Sequence, residues 1–373
     1  MNKLIDLIKQ CLPSRFRPRR YPVTDDTFEL TTFEGDIEQW LQNYPVCQTN
    51  VDIYYNLAEL FRRRGEFDKA VSIHQAISLA KLEGHEPFKL AIEIAHDYYS
   101  AGVLSHAEEM LVGALDEADD HTSRQAFRLW LAILEKEQDW HRAIELIEKH
   151  GTPGSGSLRL ANLYCQYAIE LEQRGDYAES ASLLTKAMRI EGCRALFLSG
   201  LWQERHGKQV LAFQHYVAVL KNNPLRADLV VLPLQQLALE LGRQAELLAL
   251  FAELYQRQPS VRFVESVIEL CRLSHQPVSE SWSAAIRQQA HLGRSTIVSR
   301  YWLEQNADCS ETTLALVDSV LASADLSTTE HYVCAQCGRA VEKLLWQCPQ
   351  CEAWETIYSS YELKLSSSST QSL

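Results

Sequence analysis

Apolar residues recur at helical spacing through most of the chain, as in Tyr54, Leu57, Ala58 and Phe61, or Tyr164, Tyr167, Ala168 and Leu171. Each set falls on one face of a helix, so these segments read as amphipathic helices sharing a core. The helices are punctuated at a near-constant interval. A glycine, an aromatic or apolar residue two on and a small residue five on give RGEFDKA (64–70), AGVLSHA (101–107) and RGDYAES (174–180). HGKQVLA (206–212) and the weaker LGRQAEL (241–247) follow, and EQDWHRA (137–143) fits with Gln138 in the glycine place. The register positions are therefore 65, 102, 138, 175, 207 and 242, with spacings of 37, 36, 37, 32 and 35.

That interval is close to the roughly 34 residues of a tetratricopeptide repeat, which is two antiparallel helices per unit. Gly65 or Gly175 ends the first helix of a pair where a positive φ costs little. Ala70, Ala107, Ala143 and Ala212 admit close approach of the second helix. The expected fold is all-α, a tetratricopeptide-repeat superhelix over 34–325 that starts with a partial unit near 34–45; an irregular helical bundle is the alternative. GTPGSGS (151–157) reads as a flexible break, and the patterning fades after 275 apart from one helical stretch around 281–323. Stacked pairs present a concave face suited to an extended peptide or a partner's helix, so the expected function is binding.

The end of the chain is different. VCAQCGRAVEKLLWQCPQCEAW (333–354) carries two Cys-x-x-Cys pairs ten residues apart. Cys334, Cys337, Cys348 and Cys351 have the number and pairing of a closed tetrahedral thiolate site, because each turn can present two sulfurs to one ion. Gly338 and Pro349 favour tight turns that aim backbone N–H groups at the sulfurs. The gap is shorter than the roughly 15–20 residues of a zinc ribbon, leaving room for a minimal hairpin with its strands expected within Ala340–Trp346. A module spanning 331–358 buries too little area to fold alone. Metal binding, worth about 10–16 kcal/mol in small zinc peptides, supplies the difference. Tyr332, Trp346 and Trp354 are expected to cover the site or dock it on the helices. A metal that only holds shape and a redox or regulatory metal both remain open. Residues 359–373, ending LSSSSTQSL, are expected to be a disordered tail.

Charge narrows the partners. The formal net charge is −13, yet residues 1–20 hold Lys3, Lys9, Arg15, Arg17, Arg19 and Arg20 against Asp6, so the remainder is near −18. An acidic body is a poor partner for nucleic acid. The metal module is no better, with Arg339 and Lys343 against Glu342, Glu352 and Glu355. Charge-free runs fall short of the roughly 18 apolar residues that cross a bilayer. The other cysteines, Cys11, Cys47, Cys165, Cys193, Cys271 and Cys309, stand singly, as small core residues do in a reducing compartment. No HExxH, phosphate loop or GxSxG motif occurs. His74, His96, His106 and His141 read as groove or core histidines and the acidic runs as solvated faces, so an enzyme is not expected.

Repeats followed by this terminus resemble the lipopolysaccharide assembly protein B family of Gram-negative bacteria. The resemblance rests on Cys334, Cys337, Gly338, Trp346, Cys348, Pro349, Cys351, Trp354 and Thr356, with NLAELFRRRGEFDKAVSIHQ (56–75), HDYYSAGVLSHAEEML (96–111) and LYCQYAIELEQRGDYAESASLL (163–184). It implies a rubredoxin-type module holding one ion, iron by resemblance or zinc. It also implies a non-catalytic adaptor at the cytoplasmic face of the inner membrane, which modulates lipopolysaccharide synthesis by presenting the committing lipid A deacetylase to a membrane-anchored ATP-dependent protease. A paralogous scaffold with other clients, or a rubredoxin-like redox carrier with a docking array, are the alternatives.

The family begins with a transmembrane helix, whereas this chain begins MNKLIDLIKQCLPSRFRPRR. Leu4, Leu7 and Ile8, with Ile5, Cys11 and Leu12, make one apolar helix face, and Arg15, Arg17, Arg19 and Arg20 follow it. At about 1 kcal/mol per basic residue near an anionic surface, this 1–33 leader gives a reversible contact with inner-membrane lipid. A disordered basic leader is the alternative. The expected location is cytoplasmic, either free or peripheral on the inner membrane.

Overall fold

The computed structural model describes residues 37–82, 87–117, 120–151, 156–190, 192–293, 295–306 and 332–360. The basic leader, with Leu4, Leu7, Ile8, Arg15, Arg17, Arg19 and Arg20, lies outside the described residues, as do 307–331 and the end of the chain. Two compact units divide between Ile133 and Leu134.

The first unit holds α1 (Ile37–Asn43), α2 (Val51–Arg64), α3 (Phe67–Leu79), α4 (Pro87–Ala101), α5 (Leu104–Glu117) and most of α6 (Asp120–Glu137). α1 occupies the place of the partial unit, α2 packs on α3, and α4 packs on α5. Tyr54, Ala58 and Phe61 of α2 bury against Ala70, Ile73 and Ile77 of α3. Here His74 is a core residue: its Nδ1 lies 2.5 Å from Oδ2 of Asp97, whose Oδ1 accepts from Arg62 Nε at 2.5 Å. A buried carboxylate survives only when paired in this way.

The second unit continues with α7 (Trp140–His150), α8 (Gly156–Arg174), α9 (Tyr177–Met188), α10 (Arg194–Arg205) and α11 (Gln209–Asn222). A 3-10 turn, Pro224–Arg226, leads into α12 (Ala227–Leu241), α13 (Gln244–Arg257), α14 (Val261–Leu273), α15 (Ser283–Leu292) and α16 (Thr296–Asn306). Its core runs through Phe213, Tyr216, Leu234, Phe251 and Phe263, all at most 1% exposed. At Gly200 a Cβ would come within 2.4 Å of the Tyr216 ring, so α10 and α11 approach at a distance that only glycine permits.

The repeat register is visible in the backbone. Residues 65, 102, 138, 175, 207 and 242 all have φ between 61° and 87°. In each case the following residue donates its N–H to the carbonyl five positions back at 2.8–2.9 Å, as Glu66 does to Phe61 and Asp139 to Leu134. This is the bond that closes a helix through a left-handed residue. Gln138 adopts the conformation despite its side chain. Ala70, Ala107, Ala143 and Ala212 are fully buried, and Ser180, in the fourth unit's small-residue place, donates Oγ–H to the Ala168 carbonyl at 2.8 Å.

The periodicity does not stop where the pattern fades. His275 has φ 53°, and Gln276 donates to Cys271 at 2.9 Å, so α14 ends as the earlier first helices do. Histidine in the glycine place hid this unit. The expected helical stretch is two helices, α15 and α16, up to residue 306.

Beyond it, β1 (Tyr332–Cys334), β2 (Ala340–Val341) and β3 (Ile357–Ser359) form one antiparallel sheet in the order β2-β1-β3. The hairpin strands are therefore 332–334 and 340–341; Leu344–Trp346 is not strand. Two corrections follow. A third strand pairs Cys334 with Ile357, and Ser359, expected in the disordered tail, is a buried strand residue.

Candidate metal centre

The four sulfurs lie within 4.8 Å of one another. Cys334 Sγ is 3.7 Å from Cys351 Sγ, and Cys337 Sγ is 3.6 Å from Cys348 Sγ. A tetrahedral ion with metal–sulfur bonds near 2.3 Å requires sulfur–sulfur edges of about 3.8 Å. The donor set therefore fits one thiophilic ion, iron or zinc.

Two knuckles of the same design make the cluster. Gly338 N–H donates to the Cys334 carbonyl and Glu352 N–H to the Cys348 carbonyl, each at 2.9 Å. Cys334 N–H returns to Arg339 O and Cys348 N–H to Ala353 O, again at 2.9 Å. The residue after each second cysteine is left-handed, Gly338 at φ 76° and Glu352 at φ 56°. Burial raises the Cys334 thiol, but hydrogen bonds from Thr356 and from the Cys337 and Gln336 backbones outweigh it and bring it down to about 6. Cys351 receives a lowering backbone bond from Ala353, yet burial and its sulfur neighbours push it up to about 12. Four anionic sulfurs this close repel one another, and a cation relieves that repulsion.

The module is seated on the repeat helices of its own unit through buried charge. Arg226, 1% exposed, donates Nη1–H to Ile357 O and Nη2–H to Glu355 O, both at 2.7 Å. Its guanidinium lies 4.3 Å from the Tyr358 ring centroid and 5.2 Å from that of Trp346. Arg194 sits 5.5 Å from the Trp346 and Trp354 rings. Trp346 also faces Phe197 at 6.0 Å, and Gln347 Nε2 donates to Glu135 at 3.3 Å. The Glu355 carboxylate, on a residue 9% exposed, accepts from Cys193 N–H at 2.8 Å, Arg194 N–H at 3.3 Å and Asn162 Nδ2 at 3.2 Å.

Known proteins agree with this geometry. Residues 332–358 match the family model described as a rubredoxin metal binding domain, and 53–86 match a tetratricopeptide repeat. Lipopolysaccharide assembly protein B of Haemophilus influenzae is 28% identical over 331 residues, 86% of this chain and 82% of that protein. The protein of the same name in Escherichia coli K12 is 26% identical over 324 residues, 82% and 80% of the two chains. This chain is a homologue of lipopolysaccharide assembly protein B. Among solved structures, the C-terminal part of a TPR repeat-containing protein from Cytophaga hutchinsonii aligns over 74% of this chain and 96% of that one, at 14% identity and a TM-score of 0.38.

The cysteines named from their spacing are thus brought together, and the three aromatics divide. Trp354 is buried, Trp346 lies between the two arginines and Phe197, and Tyr332 is in β1, where burial and the Asp228 carboxylate raise its hydroxyl. Sequence reasoning missed Arg194, Arg226 and Glu355, the last being counted as a surface charge. One signal existed: α10 starts after Gly-Cys, with no Ser, Thr, Asp or Asn to cap it. Among the described residues no helix is long and apolar enough to cross a membrane.

Proposed function

We propose that the chain is a non-catalytic adaptor in the control of lipopolysaccharide synthesis. The repeat helices grip client proteins, and the metal module, with Cys334, Cys337, Cys348 and Cys351 as ligands of one iron or zinc ion, fixes the helices it sits on. The observation that carries this reading is the seat of the module: Arg226 and Glu355 join it to the helices by buried, geometrically demanding bonds. A free electron carrier has no need of such a seat. Homology over most of both chains supplies the pathway, and neither matched family model describes a catalytic domain.

Under this reading the clients are the committing lipid A deacetylase and a membrane-anchored ATP-dependent protease. The chain works on the cytoplasmic side of the inner membrane, with Leu4, Leu7, Ile8 and Arg15, Arg17, Arg19 and Arg20 as a peripheral contact to anionic lipid. Affinity capture of the full chain from a Gram-negative lysate tests it, with recovery of the deacetylase or the protease expected. Recovery of neither, together with normal lipopolysaccharide after gene deletion, would refute it in favour of a scaffold with other clients.

A further inference from the structure

Between α8, α9 and α10 lies a cavity of about 510 Å³. α10 lines it with Leu198, Leu201, Trp202 and Arg205, and α8 with Ile169 and Glu172. Arg205 and Glu172 bridge its rim at 2.6 Å. The lining residues of α8 lie in its C-terminal half, and those of α10 run from Leu198 near its middle to Arg205 at its end. In the N-terminal halves of the same two helices the Glu355 carboxylate holds α10 through Cys193 and Arg194 N–H, and α8 through Asn162. Arg194 closes the triangle by donating to Asn162 Oδ1 at 3.4 Å and Gln166 at 2.9 Å.

Glu355 is in turn positioned by the cysteine knuckles. It stands at φ 57°, four residues after Cys351, and its N–H donates to Trp346 O at 2.7 Å. The next residue, Thr356, places Oγ1 3.3 Å from Cys334 Sγ and accepts from Ala335 N–H at 2.8 Å. The receiving side is shaped for the carboxylate. Gly192 has φ 153°, and a Cβ there would come within 2.9 Å of Glu355 Oε1 and 3.0 Å of Leu158 Cδ1.

We propose that Glu355 couples the four-cysteine site to this cavity: it caps α10 and ties it to α8, so that losing the ion loosens both helices and opens the cavity between them. A carboxylate on the free N–H groups of a helix start stabilises that helix, and its loss frays the first turns. Fraying at Arg194 is passed along a helix whose opposite end carries Trp202 and Arg205. The inference rests on the module binding a metal, and it is independent of which clients the array takes.

Hydrogen–deuterium exchange of the full metal-loaded chain tests it. Chelation should speed exchange of residues 194–206 by about tenfold, the loss of protection expected when a cap is removed, while 261–273 changes little. Glu355→Ala should do the same with one ion per chain still bound, and Gly192→Ala should reproduce it by displacing the carboxylate. The proposal is overturned if Glu355→Ala leaves 194–206 as protected as in the parent. It is equally overturned if that variant loses its ion, or if chelation speeds exchange uniformly across the unit. Failure to capture the proposed clients, together with normal lipopolysaccharide after gene deletion and with this exchange pattern intact, would refute the proposed function alone.

Discussion

Arg226 donates both guanidinium Nη groups to main-chain oxygens of the metal module, to Glu355 and Ile357, at 2.7 Å each. The fork spans two carbonyls on either side of Thr356, a geometry that one ammonium group cannot reproduce.

Replacing Arg226 by Ala should therefore cost about 3 kcal/mol, since charge-assisted bonds contribute about 1.5–3 kcal/mol each and two buried carbonyls lose their donors. Arg226→Lys should recover little of it. Urea titration followed by metal release to a chromogenic chelator reads the effect; unchanged midpoints in both variants would show that the fork does not hold the module.

Cys348→Ser removes one of the four donors and should abolish stoichiometric metal binding, measured by elemental analysis. The helices hold most of the described residues and have their own core, so far-ultraviolet circular dichroism should stay nearly unchanged. Capture of clients should fall with the metal.

The cysteines outside the cluster should separate by reactivity. Cys47 is exposed, and hydrogen bonds from the Thr49 side chain and backbone lower its thiol. Burial pushes Cys165 up to about 12 and, aided by Glu355, Cys193 likewise to about 12. At pH 8 a thiol of the first kind is partly ionised and one of the second kind is not. Of these three, Cys47 should be modified first by iodoacetamide, read by peptide mapping, and Cys165 and Cys193 only after unfolding.

Gln138 occupies a left-handed position that five glycines fill elsewhere in the register. Gln138→Gly should stabilise the protein by about 1 kcal/mol, because an L side chain raises the energy of that conformation by more than the added chain entropy costs. Gly175→Ala should destabilise by a similar amount. Thermal unfolding of both variants checks the pair, with midpoints expected to move in opposite directions.

The elements that were legible in the sequence are those whose cause is local. Gly65 and Gly175 announce their turns because the chain needs a positive φ there, and Cys334, Cys337, Cys348 and Cys351 announce theirs by spacing. His275 and Glu352 adopt the same backbone conformation without the glycine and so went unread. β3 was missed because its partner is β1, more than twenty residues back, and nothing near Ile357 carries a turn signal. The seat of the module was the least legible, since an Arg or Glu on a helical or loop pattern reads as solvated. Only the fold shows that Arg226 reaches the Glu355 carbonyl while the Glu355 carboxylate reaches the main chain at Cys193 and Arg194, both in a buried contact.

The bonds from Glu355 to Cys193 and Arg194 span 162 and 161 positions of sequence. A chain made from its N-terminus exposes the start of α10 long before residue 355 leaves the ribosome. That unit must wait with an unsatisfied helix start until the C-terminal knuckles emerge and take up their ion. Completion of the array is thereby tied to synthesis of the metal module, and a product cut short before residue 355 would carry a fifth repeat marked as unfinished.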